Sequence, residues 1–213
     1  MRVFVLGNGE SLNVTPLDDL IGEHTIAVNR IHLLYNQTKW RPEYYFRTEP
    51  PGGGDPQAFY DECRLHIQLG EKCIFPRDWK EVLGEHENIE YVSVCRHFKY
   101  PPPHKKAHLQ WHLPLICDTS VITAAIQAAV LKGFDEIYLL GCDLSGGHFS
   151  DKDNGLIQAD LWKLQHEIAK ACSPVKIYNA TIGGNLEVYE RVNLWEKNRL
   201  RLSHETTRLG DKD

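Results

Sequence analysis

The sequence predicts an α/β protein with a doubly wound, mostly parallel sheet and helices on both faces. Three observations carry this. Short β-branched or aromatic runs alternate with helical patterns along the chain. The stretch 120–132 (SVITAAIQAAVLK) is nearly free of charge and apolar on almost every side, as a helix buried against a sheet must be. It passes through Gly133-Phe134-Asp135 directly into the apolar run EIYLLG at 136–141, which makes half of a right-handed crossover.

The elements follow in order. Arg2–Leu6 is a β-prone run that ends in Gly7-Asn8-Gly9, a buried strand entering a tight turn. Further strands are expected at 25–29 (TIAVN), 43–47 (EYYFR), 73–75, 89–94 (IEYVSV), 136–141 and 176–178. Helical patterns lie between them at 16–20, 57–69, 79–83, 120–132 and 156–171. The helix at 120–132 has Asp118, Thr119 and Ser120 as N-cap candidates and Gly133 as its stop. Pro50–Pro56 (PPGGGDP) fits neither helix nor strand and reads as a loop. This is a Rossmann-like plan, with one domain over residues 1–192. Residues 96–115 form an irregular Pro-rich loop or lid within it, and 193–213 a charged surface helix fraying into a tail.

Composition narrows the partners. With 24 Lys and Arg against 29 Asp and Glu, no basic excess is present to neutralise a nucleic-acid backbone. A single anionic nucleotide remains compatible, since backbone N–H groups can hold its phosphate. The apolar run at the start spans only four residues, too short for a signal peptide, and no stretch approaches the length of a membrane span. Six cysteines without a C-x-x-C pair read as reduced thiols, which implies a cytoplasmic protein.

The strongest motif is Gly7-Asn8-Gly9-Glu10-Ser11-Leu12. In an open parallel sheet ligands sit outside the carboxyl ends of the strands. Glycines there let the backbone approach a phosphate, free N–H groups at the following helix provide the positive end, and Asn8 and Ser11 add donors. The third glycine of a dinucleotide fingerprint is absent and no P-loop lysine follows. The competing reading is that the glycines only make a tight turn. Replacing Gly9 with Val is expected to remove nucleotide binding and leave the fold intact. Three other polar strand ends, Asn29-Arg30, Arg47-Thr48-Glu49 and Gly141-Cys142-Asp143, converge on the same edge. Asp143 is expected to hold a ribose hydroxyl, orient a donor or bind Mg²⁺, or else to cap a turn. His148, in the glycine-rich segment after that strand, is the acid–base candidate, or else a solvated loop histidine. His104, His108 and His112 share a helical spacing, yet nothing completes a closed metal-ligand set.

GNGESL, the Asn29-Arg30 strand end, DTSVITAAIQAAVLKGFDEIYLLGCD and NATIGGNLEVYERV occur in an order that covers most of the chain. Together they resemble the superfamily of bacterial lipooligosaccharide sialyltransferases, motility-associated flagellin glycosyltransferases and archaeal 6-hydroxymethylpterin pyrophosphokinases. The resemblance implies that Asn8, Gly9, Ser11 and Asn29 touch a nucleotide phosphate or its sugar. It places Thr119 and Ser120 beside the nucleotide and Asp143 beside the ribose or a metal. Glu10 departs from the family's usual proline, and the segment after Asp143 holds His148 but none of the family's lid tyrosines.

The leading expectation is a glycosyltransferase that moves a sugar from a nucleotide donor, CMP-linked by the resemblance, to a hydroxyl on a glycan or small-molecule acceptor. Its nucleotide-binding set is Gly7, Asn8, Gly9, Ser11, Asn29, Arg47, Thr119, Ser120, Gly141 and Asp143. A pyrophosphokinase-like transfer from ATP with Mg²⁺ and a non-catalytic nucleotide- or glycan-binding protein are the alternatives. Fold alone does not separate them.

Overall fold

The computed structural model describes residues 1–49, 55–96, 115–116, 120–145, 147–149 and 159–195. Thr119, most of the Pro-rich segment, residues 150–158 and the tail beyond 195 lie outside the described residues.

Ten strands and four α-helices are described: β1 (Arg2–Leu6), β2 (Thr25–Val28), β3 (Tyr44–Phe46), α1 (Pro56–Gln68), β4 (Lys72–Pro76), α2 (Lys80–Leu83), β5 (Ile89–Val92), β6 (Val94–Cys95), β7 (Leu115–Ile116), α3 (Val121–Leu131), β8 (Glu136–Leu140), α4 (Ala159–Cys172), β9 (Lys176–Asn179) and β10 (Glu190–Arg191). Eight of the strands form one sheet in the order β10-β9-β8-β1-β2-β3-β4-β5, and every pairing in it is parallel. The chain winds outward from β1 to β5, returns to β8 beside β1, and winds outward the other way. The winding reverses between β1 and β8, where a doubly wound sheet opens its ligand crevice. The fold class expected from the sequence is the one observed.

Alternation along β1 explains the two layers. Val3 and Val5 enter the core shared with α3, while Phe4 and Leu6 enter the core shared with α1, α2 and the short 3₁₀ turns. α4 packs beside α3. The Ala-rich face of α3 lets it lie close on the sheet, with Ala124, Ala125 and Ala129 fully buried. Its C-terminus closes as the sequence predicts: Gly133 takes φ 84°, its N–H reaches the Val130 carbonyl, and the Phe134 N–H reaches Ala129. Asp55 caps α1 by accepting the Gln57 N–H at 2.9 Å, with Pro56 in the first turn.

Several boundaries differ from expectation. The strand predicted over 89–94 divides at Ser93, because β5 pairs with β4 only as far as Val92 and β6 turns away to pair with β7. The helix predicted at 16–20 is a 3₁₀ turn, Leu17–Leu20. Further 3₁₀ turns, Glu10–Val14 and Ile31–Leu34, follow β1 and β2 where an α/β unit would usually place a long helix. No helix among the described residues is long and apolar enough to cross a membrane.

Candidate functional site

The carboxyl ends of β1 and β8 do not part at the reversal point; they stay joined beyond their last strand residues. The Gly7 N–H donates to the Leu140 carbonyl and the Gly9 N–H to Gly141, both at 2.8 Å, and the Ser11 N–H donates to the Asp143 carboxylate at 3.1 Å. Close approach is why glycine occupies positions 7 and 9. A Cβ on Gly7 would sit 2.4 Å from the Gly141 carbonyl oxygen, and one on Gly9 would sit 1.7 Å from the Asp143 Oδ2. The N–H groups expected to be free for a phosphate are in part already engaged. A Val at position 9 would also strike Asp143, so the expectation that Gly9→Val leaves the fold intact does not hold.

Asp143 is buried, with 4% of its surface exposed, and its seat comes from the segment after β9. The Thr181 hydroxyl accepts the Cys142 N–H at 3.1 Å, and the Asn185 N–H donates to the Asp143 carbonyl at 2.5 Å. Gly184, at φ 75°, lies so close that a Cβ would meet the Asp143 backbone at 2.7 Å. Arg191 fastens this segment by donating to the carbonyls of Thr181, Gly183 and Gly184 at 2.6–3.1 Å. Burial pushes the Asp143 carboxyl above the usual carboxylate range, and the charge of Glu10 pushes the same way. The Ser11 hydroxyl and N–H and the charge of Arg191 oppose the shift.

Asn8 ties β1 to β2. Its Nδ2 donates to the carbonyls of Gly7 at 2.9 Å and Val28 at 3.1 Å, and its Oδ1 accepts the Arg30 N–H at 3.4 Å. Asn29 ends β2 in the left-handed region at φ 52°, a conformation that asparagine tolerates well. Its Nδ2 donates to Glu49 at 3.5 Å, and its buried Oδ1 has no partner. The buried hydroxyl of Thr48 likewise has none. Glu49 also accepts the N–H of Val121, the first residue of α3, and so acts as a tertiary cap for a helix whose own N-cap residue, Ser120, makes no side-chain capping bond. Burial raises the Glu49 carboxyl, against the pull of Arg47, Asn29 and Val121. Arg47 points to the other face, where it pairs with Glu62 at 2.6 Å and lies 3.9 Å over the Phe59 ring. Arg30 is half exposed, and its side chain has a distant contact to Glu62 at 3.9 Å among the described residues.

Residues 147–149 fold back over the glycine turn. His148 pairs antiparallel with Gly9, and the Phe149 N–H donates to the Asn8 carbonyl at 2.9 Å. The Phe149 carbonyl accepts from the Asn13 side chain at 3.3 Å. His148 is half buried with its ring against that of Phe149.

The structure therefore gathers Gly7, Asn8, Gly9, Ser11, Gly141, Asp143 and His148 at one seam. Asn29 and Ser120 lie at the neighbouring ends of β2 and α3. Arg47 stands at the same edge but faces α1. Sequence reasoning placed Glu49 at a converging strand end without giving it a role, and it assigned none to Thr181, Gly184, Asn185 and Arg191. The signal for Thr181, Gly184 and Asn185 was the run NATIGGN, whose small and amide-bearing residues suit a tight turn after a strand; Arg191 lies beyond it. Among the described residues, no three His, Cys, Asp or Glu side chains converge to hold a metal ion. Comparison with protein-family models, curated proteins and solved structures finds no match.

Proposed function

We propose that this protein is a nucleotide-dependent group transferase, a glycosyltransferase that takes a sugar from a nucleotide donor to a hydroxyl acceptor. The observation that carries the reading is the placement of partnerless buried polar atoms, the Asn29 Oδ1 and the Thr48 hydroxyl, on the carboxyl edge next to the β1–β8 reversal. Buried polar groups are nearly always satisfied, so such atoms on a ligand-binding edge ask for a ligand. Arg30 offers an unburied cation for a phosphate at that edge. His148, lying across the glycine turn, takes the acceptor proton. The sequence resemblance supports the same class and points to a CMP-linked donor.

The place of Asp143 at the carboxyl end of β8, together with the sequence resemblance, favours a second reading, transfer from a Mg²⁺-bound nucleotide. Mg²⁺ is commonly held by one or two carboxylates together with substrate phosphates. Asp143 fits that role better than Glu49, which already caps α3. When bound, the ion would neutralise the phosphates.

Thermal shift with CMP, UDP, GDP and ATP, each with and without Mg²⁺, tests the proposal. A ligand that binds only the folded chain at 100 times its dissociation constant stabilises it by about 2.7 kcal/mol. A shift with a pyrimidine nucleotide independent of Mg²⁺ supports the glycosyltransferase, and a Mg²⁺-dependent shift with ATP supports the second reading. No shift with any of them would discard both.

A further inference from the structure

Four backbone donors that could receive an anion at this edge are occupied from within the protein, while among the described residues the Ser11 hydroxyl has no partner and the Arg30 side chain is half exposed. The N–H groups of Gly7 and Gly9 go to strand carbonyls, that of Ser11 goes to the Asp143 carboxylate, and that of Val121 goes to the Glu49 carboxylate. The positive end of α3, an eleven-residue helix, is thus already matched by a negative side chain. Apart from Arg30, which the proposal gives to the phosphate, the ends of β2 and β3 hold groups of the opposite kind: the Glu49 carboxylate, the partnerless Asn29 Oδ1, and the Thr48 hydroxyl. Thr48 is fully buried, and strand alternation puts it on the face of Phe46, the face covered by α3. Two of these three groups only accept hydrogen bonds, so the complementary ligand group must donate them.

We infer that the part of the ligand lying over the ends of β2 and β3 is an uncharged, hydroxyl-bearing group, a neutral sugar, and that Glu49 excludes an acidic one. The inference rests on the proposal that a nucleotide sugar occupies this edge, and it departs from the sialic-acid donor that the resemblance implies. A ligand carboxylate placed about 5 Å from an ionised Glu49 at an effective dielectric of about 20 meets a repulsion that corresponds to a loss of affinity on the order of a few hundred-fold. A sugar hydroxyl at the same place donates to Glu49 and to Asn29. Sites built to receive a donated hydrogen bond discriminate strongly against groups that cannot supply it.

The test uses pairs of donors that differ at one group of the sugar, a carboxylate in one member and a neutral group in the other, with affinities read by calorimetry. UDP-glucose and UDP-glucuronate form one pair, and CMP-N-acetylneuraminate and its methyl ester the other. The neutral member of the pair that binds should be favoured by 10-fold or more in the wild type, and Glu49→Gln should shrink that ratio several-fold. Gln keeps an amide oxygen to accept the Val121 N–H, and the wild-type ratio decides the matter even if the variant is unstable. Equal or better binding of the acidic member overturns the inference and leaves the nucleotide reading standing. An unchanged ratio in a folded Glu49→Gln protein also overturns it. If no member of either pair binds and no free nucleotide binds, the nucleotide reading itself falls, and the inference falls with it.

Discussion

The Asp143 carboxylate accepts the backbone N–H of Ser11 at 3.1 Å, so a side chain from the end of β8 fills the place at which a phosphate would meet the turn after β1. Replacing Asp143 with Asn keeps an oxygen acceptor there, while Ala leaves a buried N–H without a partner. Asp143→Ala should cost about 1–3 kcal/mol in urea unfolding, and Asp143→Asn much less. Because burial raises the carboxyl in the folded state, charging it opposes folding: stability falls as pH rises through its folded-state titration. The Asn variant should lose that part of the slope. If Asp143 also meets a ribose or Mg²⁺, Asp143→Asn should weaken nucleotide binding far more than it lowers the melting temperature.

Gly9→Ala should destabilise the fold by about 1–3 kcal/mol, since its Cβ would overlap the Asp143 carboxylate and press on the Gly141 carbonyl. Chemical denaturation measures this directly. A Gly9→Ala protein as stable as the wild type would mean that the two strand ends are not joined in the way described.

Gly183 and Gly184 share φ 75° but differ in surroundings. A Cβ at Gly183 meets nothing within 4 Å, so Gly183→Ala should cost only the left-handed backbone strain, about 1–2 kcal/mol. Gly184→Ala adds a collision with the Asp143 backbone and should cost visibly more. Melting curves of the two variants side by side give the difference, and equal losses would contradict the packing of this turn on Asp143.

His166 is buried on α4, its Nδ1 within 3.0 Å of the Tyr189 hydroxyl, and burial lowers it to about 4. Its neutral form is favoured in the folded chain. The stability it contributes is complete above pH 6.5, its unfolded value, and is lost as pH falls through about 4. The contribution is on the order of 3 kcal/mol at the linkage rate of 1.36 kcal/mol per unit. His166→Gln should flatten acid unfolding between pH 6.5 and 4, as read by circular dichroism.

If His148 is the base, His148→Ala should lower turnover by roughly 10²–10⁴-fold with little change in donor affinity. It should also abolish the acid limb of the pH–rate profile, because a protonated imidazole accepts no proton. A variant that keeps both its rate and its acid limb would place the base elsewhere.

The order of strands and helices was legible because apolar periodicity and glycine stops are local properties. α3 and β8 could be read almost to the residue. The two-residue strands β7 and β10 are too short to leave a period, and their pairing depends on distant partners. Around the site, the glycines were visible but their reason was not. Gly7 and Gly9 exist because Gly141 and Asp143, more than a hundred residues later, come within contact. Arg47 looked like a ligand contact at a strand end, yet Glu62 and Phe59 on α1 hold it on the opposite face. No sequence pattern encodes that choice.

The position of β1 has a consequence for how the chain acquires its structure. Arg2 pairs with Glu136, and the amino group of Met1 meets Asp135, 134 positions along the chain. β2 can cover one side of β1 early, but β8 reaches the other side only after more than a hundred further residues have been synthesised. At ribosomal speeds of 5–20 residues per second, β1 waits on the order of ten seconds with one edge open. Its Val3-Phe4-Val5-Leu6 run, apolar and strand-forming, is the kind of edge that adheres to other chains. Yield during rapid expression should therefore depend less on the stability of the finished sheet than on what shields this edge in the meantime.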